Sequence, residues 1–165
     1  MTKEFKSLGS FAKFLGTREV ALHETLHVAL EVVAAKMQKT ARDEIGIYQP
    51  ETGPFPAWAE LAEFTVQDRL AQHYSPDEPL LRDGTLRDSI THEVEGLEAV
   101  IGSDSDIAVW QELGTVKIPP RPFLGTAAFH DAHFAVATVG AAAVAALGGE
   151  EKVFVSQSFK IKDEV

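Results

Sequence analysis

The chain has 165 residues, 15 Lys or Arg against 25 Asp or Glu, a formal net charge of −10 and no cysteine. That length suits one domain with a sizeable core, and the missing thiols exclude disulfides and thiolate metal sites. Residues 1–49 carry seven basic and six acidic side chains, residues 50–115 three and fourteen, and residues 116–165 five and five, so the middle of the chain repels nucleic-acid phosphates and sequence-specific DNA binding is not expected.

Phe5, Leu8, Phe11, Phe14 and Leu15 recur at helical spacing, interrupted by Gly9 and Gly16, and predict a short amphipathic helix. From Thr17 as a cap, Leu22, Leu26, Ala29, Leu30, Val33, Met37 and Ala41 keep threes and fours as far as Ile45, with Gly46 as the stop. This second helix is expected to run for about 28 residues, roughly 42 Å. Three prolines and a glycine make residues 47–56 a loop, and Trp58, Leu61, Phe64 and Leu70 predict a helix over residues 58–73. Ser75-Pro76-Asp77-Glu78-Pro79 is a second loop.

Residues 80–124 hold the densest series of signals. Asp83-Gly84 is a turn dipeptide, and Thr85-x-x-Asp88 has the form of a capping box for one short helical turn. Ile90, His92 and Val94 alternate with polar residues, Gly96 interrupts, and residues 97–101 are apolar again, which predicts two short antiparallel strands around a tight loop. Ser103 or Asp104 is the expected cap of a short helix that carries Ile107, Ala108 and Trp110 inward and stops at Gly114. Pro119-Pro120-Arg121-Pro122 is stiff and extended, and a long helix is expected over residues 123–147, its second half nearly all Ala and Val so that another backbone can approach closely. Beyond Gly148-Gly149, Val153, Val155, Phe159 and Ile161 alternate as a strand, so residues 148–165 form a C-terminal strand or assembly arm that pairs within the subunit or with a neighbour.

Residues 1–15 alternate Lys with Phe and Leu and lack the apolar core of a secretory signal. The apolar run 137–147 is eleven residues long, against roughly 20 for a membrane span. A soluble chain with no membrane partner is expected.

One stretch matches a catalytic motif. His23-Glu24-Thr25-Leu26-His27 is a literal H-E-x-x-H on the strongest predicted helix, a spacing that lets two histidines grip zinc while the glutamate acts as general base. Its extended form fails, with Leu30 in place of Gly and Val33 in place of the third His. The alternative places His23 and His27 at the border of the apolar stripe formed by Leu22, Leu26 and Leu30. His130 and His133 are read as solvated, the carboxylates of residues 77–98 as a solvated face, and Trp58 and Trp110 as core anchors.

Four runs, Leu80-Leu81-Arg82-Asp83-Gly84-Thr85-Leu86-Arg87-Asp88-Ser89-Ile90, Ile101-Gly102-Ser103, Gln111-Glu112-Leu113-Gly114-Thr115 and Pro120-Arg121-Pro122-Phe123-Leu124, occur in order. With Pro56-Ala57-Trp58 and Thr65 upstream, the chain resembles the minor tail and virion-morphogenesis proteins of tailed bacteriophages, also described as neck or tail-completion proteins. Asp83 stands where a common form of the family has Thr. The resemblance implies a structural virion protein with no catalytic role and no cofactor or metal, forming a homo-oligomeric ring, often sixfold. Its expected partners are head connector or portal-adaptor proteins and tail tube or sheath proteins, and its place the virion, after assembly in the host cytoplasm. Genomic DNA passes through such a ring without specific binding, because six copies carry about −60. The alternatives are a zinc-dependent hydrolase using His23, Glu24 and His27, and an assembly factor that leaves before the particle matures.

The expected fold is α+β, a small antiparallel sheet packed by two long helices in a single domain. The expected assembly residues are Arg82, Asp83, Gly84 and Arg87 at the first turn, Trp110, Glu112, Gly114 and Thr115 at the second, and Pro120, Arg121, Pro122 and Phe123. Arg121, on a rigid stem, pairs either within the chain or with carboxylates of another subunit. Valine at Gly84 or Gly114 is expected to misfold its turn.

Overall fold

The computed structural model describes residues 5–148. Ser7 and Ser10 accept each other's backbone N–H, a capping box that starts α1 (Leu8–Glu44). The two helices expected here are one, of 37 residues and about 55 Å. A helical glycine costs about 1 kcal/mol but does not end a helix; an added Cβ would meet nothing within 4 Å at Gly16 and only the Ser7 hydroxyl, at 3.9 Å, at Gly9. Thr17 caps nothing, because its hydroxyl donates back to the Phe14 carbonyl at 2.7 Å.

The following helix is shorter than expected, α2 (Glu63–Ala71). Trp58 and its neighbours are held in an extended run instead: the Trp58 N–H bonds the Gln49 carbonyl at 2.9 Å, the indole Nε1 donates to the Pro122 carbonyl at 3.1 Å, and the Leu61 N–H donates to the Tyr48 hydroxyl at 3.2 Å. Backbone groups given to tertiary partners are lost to a helix.

The next elements follow closely: α3 (Thr85–Ser89), β1 (Ile90–Glu95), β2 (Glu98–Ser103) and α4 (Asp106–Leu113). The two strands pair antiparallel in the register Ile90↔Ser103 to Glu95↔Glu98, turning at Gly96. The alternation puts Ile90, His92, Val94, Ala99 and Ile101 toward α1 and leaves Thr91, Glu93, Glu95, Glu98 and Val100 exposed. The carbonyl of Ile90 also receives Gln38 at 2.7 Å and Arg42 at 2.6 Å, which fastens the sheet to α1.

The last helix, α5 (Leu124–Gly148), returns antiparallel along α1, as the pairs Arg18 to Ala146 and Lys36 to Asp131 require. The small residues of its second half serve this close approach: Ala29, Ala34 and Ala41 of α1 and Ala127, Ala142 and Ala146 of α5 are all buried. The chain is therefore a single-domain α+β arrangement, a two-stranded sheet packed against long helices. Its core cluster joins Ala41, Ile45, Trp58, Leu86, Ile90, Ala108, Phe123 and Ala127, with Ile90 and Phe123 fully buried. The expected C-terminal strand or arm, residues 148–165, lies outside the described residues except for Gly148.

Longer than the run of residues 137–147 suggested, α5 has 25 residues and an 18-residue window of mean hydropathy 1.4, of which 22% is buried. By length and composition alone it is able to span a membrane. One face carries Thr126, Asp131 and Thr138, all buried.

Two buried carboxylates tie the long helices together. Asp131 accepts from Lys36 at 2.9 Å and Thr40 at 2.6 Å. Glu44 accepts from the Thr126 hydroxyl and lies 3.2 Å from His130 Nδ1. Burial pushes the Glu44 carboxyl above its ordinary 4.5, against the opposing pull of Thr126 and His130. The folded state then holds this proton more tightly than the unfolded chain, so Glu44's contribution to stability is fully present below about 4.5 and declines as pH rises through the raised value. Glu44→Gln keeps an acceptor for Thr126 and removes the titration. Urea unfolding from pH 4.5 toward neutrality is expected to show the variant gaining on the wild type as pH rises.

Candidate assembly site

Each motif run of the sequence closes a turn. In the first, the Asp83 carboxylate accepts the Thr85 N–H at 2.9 Å, which holds its proton affinity below the usual carboxylate range. Gly84, at φ 88° and ψ −11°, is the left-handed residue that precedes α3. The expected box from Thr85 to Asp88 is absent because Asp83 supplies the cap from outside the helix. Arg87 is turned to Asp88, at 3.2 Å.

The second run supports the first. The Ser103 hydroxyl lies 2.7 Å from that of Ser89 and accepts the Ser105 N–H at 3.1 Å. The cap residue of α4 is Ser105, not Ser103 or Asp104.

The third and fourth runs form one device. The Glu112 carboxylate accepts the N–H groups of Phe123, Leu124 and Gly125 at 2.8, 3.0 and 2.8 Å. These belong to the first turn of α5, where a helix presents unpaired donors and the positive end of its dipole. The adjoining Gln111 carbonyl receives the Arg121 N–H at 2.6 Å. Between them the chain turns at Gly114, φ 73° and ψ 174°, where an added Cβ would lie 2.9 Å from the Pro120 nitrogen and 3.0 Å from the Ile118 oxygen. The Thr115 hydroxyl accepts the N–H groups of Lys117 and Ile118, and its own N–H bonds the Ile118 carbonyl at 2.8 Å.

Arg121 pairs within the chain, and with carbonyls instead of carboxylates. Its Nε and Nη2 donate to the Ala59 carbonyl at 3.2 and 2.9 Å, and Nη2 also reaches Glu60 at 3.1 Å. Arg69, which the sequence did not single out, does the same on the other wall: its Nη1 gathers the carbonyls of Ser75, Glu78 and Leu81 at 3.1, 2.7 and 3.0 Å. Both guanidiniums are buried, and burial lowers the proton affinity of each. The one signal for Arg69 is its spacing of three from Val66, which puts it on the inner face of α2.

Between these arginines lies a cleft of about 730 Å³ whose walls include Arg82, Asp83, Lys117 and Pro119. Of the expected assembly residues it gathers Arg82, Asp83 and Arg121; Glu112, Gly114, Pro122 and Phe123 stand behind as its frame, Phe123 in the core.

Trp110 corrects an expectation. The inner face of α4 is Ala108 with Glu112, one turn apart, so Trp110 faces outward, 50% exposed, while Ile107, equally exposed, borders the cleft. Val109 and Leu113 of the same helix are exposed as well. Trp58 is the core tryptophan.

His23 is exposed, and His27 Nδ1 lies 2.9 Å from the Gly96 carbonyl. Among the described residues no three His, Cys, Asp or Glu side chains gather to hold a metal ion. His130 is engaged by Glu44 and His133 is exposed. The chain matches no family model, no curated protein and no solved structure.

Three substitutions weigh this framework. Gly114→Ala meets backbone atoms in a region of φ and ψ open almost only to glycine and is expected to cost about 3 kcal/mol or more, whereas Gly84→Ala meets the flexible end of Arg87 in a left-handed well and costs about 1 kcal/mol. Glu112→Ala strips three donors of their acceptor and is expected to cost about 2–4 kcal/mol. Denaturant unfolding with unchanged m-values reads all three.

Proposed function

We propose that this chain is a structural subunit of a tailed-phage particle, assembling as a homo-oligomeric ring at the head–tail neck, between connector or portal-adaptor proteins and the tail tube or sheath. It acts in head–tail joining, in the virion, after assembly in the host cytoplasm, and not as an enzyme. The observation that carries this reading is the outer face of α4. Trp110 stands half exposed there, with Val109 and Leu113 exposed on the same helix. Exposed apolar groups gathered on one short element mark a surface that another protein covers, and tryptophan is enriched where such contacts are strongest.

The motif runs that carry the resemblance support the same reading. Asp83, Glu112, Arg69 and Arg121 spend their charges on the chain's own backbone, which suits a rigid part better than a reactive one. DNA passing through the ring meets a chain of net charge −10 and is not held.

The test is native mass spectrometry of the purified protein with electron microscopy of the same sample. A closed, metal-free ring is expected, and Trp110→Asp is expected to weaken its assembly on the order of 30-fold, the loss of an interface hot spot. Stoichiometric zinc lost in His23→Ala would overturn the reading in favour of the hydrolase, a vesicle-bound monomer would assign the apolar face of α5 to a membrane, and absence from purified virions would make the protein an assembly factor.

A further inference from the structure

The tip of the β1–β2 hairpin is acidic and unpaired. Glu95 and Glu98 stand opposite each other at its end, Glu93 lies two residues below, and Leu97 sits in the turn between them, 51% exposed. None of the three glutamate side chains has a hydrogen bond or ion pair among the described residues. Like charges directly opposite each other destabilise a strand pair, so the hairpin carries a cost that a cationic partner would relieve.

The cleft is such a partner. Arg69, Arg82, Lys117 and Arg121 line it against the carboxylates of Glu60 and Asp83, and Arg82 is also paired to Asp68 at 3.6 Å and donates to the Gln72 side chain, which leaves one more cation than anion on a chain of net charge −10. The Lys117 ammonium has no partner among the described residues, and Asp83 is committed to the Thr85 N–H. The apolar wall is Leu61, Ile107 and Ile118, a seat for one aliphatic side chain. Gln111 also lines the cleft, and its buried Oε1 has no donor. A backbone N–H from an incoming turn would satisfy it.

A subunit cannot fill its own cleft with its own tip. Thr85, Leu86 and Ser105 bring the cleft to the base of the hairpin, and the tip lies a six-residue strand away, about 20 Å. We propose that the Glu95-Gly96-Leu97-Glu98 tip of one copy docks in the Arg82–Lys117 cleft of the next, Leu97 against the apolar wall. Donor and acceptor surfaces sit at opposite ends of the hairpin, so the contact is head-to-tail, the kind that closes into a ring or runs on as a filament. It deepens the ring reading and rests on it, and it gives the hairpin glutamates, read from the sequence as part of a solvated face, to a subunit contact.

The test uses the full chain and two charge reversals, Glu95→Lys with Glu98→Lys at the tip and Arg82→Glu with Lys117→Glu in the cleft. Native mass spectrometry and sedimentation velocity read subunit number, and circular dichroism verifies the fold of each variant. Each reversal alone is expected to raise the concentration for half-assembly on the order of 100-fold. An equimolar mixture of the two is expected to recover rings of even subunit number, because every tip then meets a cleft of opposite sign. Misfolding would not produce that recovery. A wild-type ring indifferent to both reversals, or a mixture of folded variants that stays monomeric, overturns the hairpin contact and leaves the ring reading standing. A wild-type chain that is monomeric at every concentration overturns both.

Discussion

The carboxylate of Glu112 sets the position of everything on the cleft side of the molecule. It takes the N–H groups of Phe123, Leu124 and Gly125 at the start of α5, and so decides where the longest packing surface for α1 begins. The demand is local: a helix start needs acceptors, and an anion there also meets the favourable end of the dipole. The consequence is global. Fixing Phe123 over the core fixes the Pro122 carbonyl, which Trp58 requires, and the Arg121 guanidinium, which holds the Ala59 and Glu60 carbonyls. Loop, hairpin base and helix pair are thus referred to one side chain on α4.

Arginine appears twice as a substitute for secondary structure. Arg69 and Arg121 each collect two or three carbonyls from irregular segments that have no ladder of their own. Several donors on one planar group make this possible, and lysine, a point charge, would not span the same carbonyls. Burial disfavours the charge of both guanidiniums, with Arg82 adding to the effect at Arg69 and Arg69 at Arg121.

How much of this was readable in the sequence follows from the range of each interaction. Asp83-Gly84, the hairpin around Gly96 and the stop at Gly114 are written in residues whose backbone preferences act within four positions, and each stands where expected. The long helices were legible from periodicity, but the break at Gly9 and Gly16 was not real, because glycine weakens a helix without ending one. Trp58 and Trp110 could not be told apart: which one enters the core is decided by the Pro122 carbonyl, 64 residues from Trp58. Arg69 was invisible for the same reason, since its partners are carbonyls, which every residue has. Glu112 was named as an assembly residue, and its bonds to three backbone N–H groups 11 to 13 residues on, which no local pattern announces, make it a keystone of the frame.

The two-stranded sheet has consequences for the protein before it finds any partner. Each strand has one edge that no other described strand pairs, and an open edge is a template on which further chains can stack. Outward carboxylates at Glu93, Glu95 and Glu98 work as gatekeepers there: a second ribbon approaching in register would set glutamate against glutamate. Edge-to-edge stacking of one hairpin on another is thereby disfavoured.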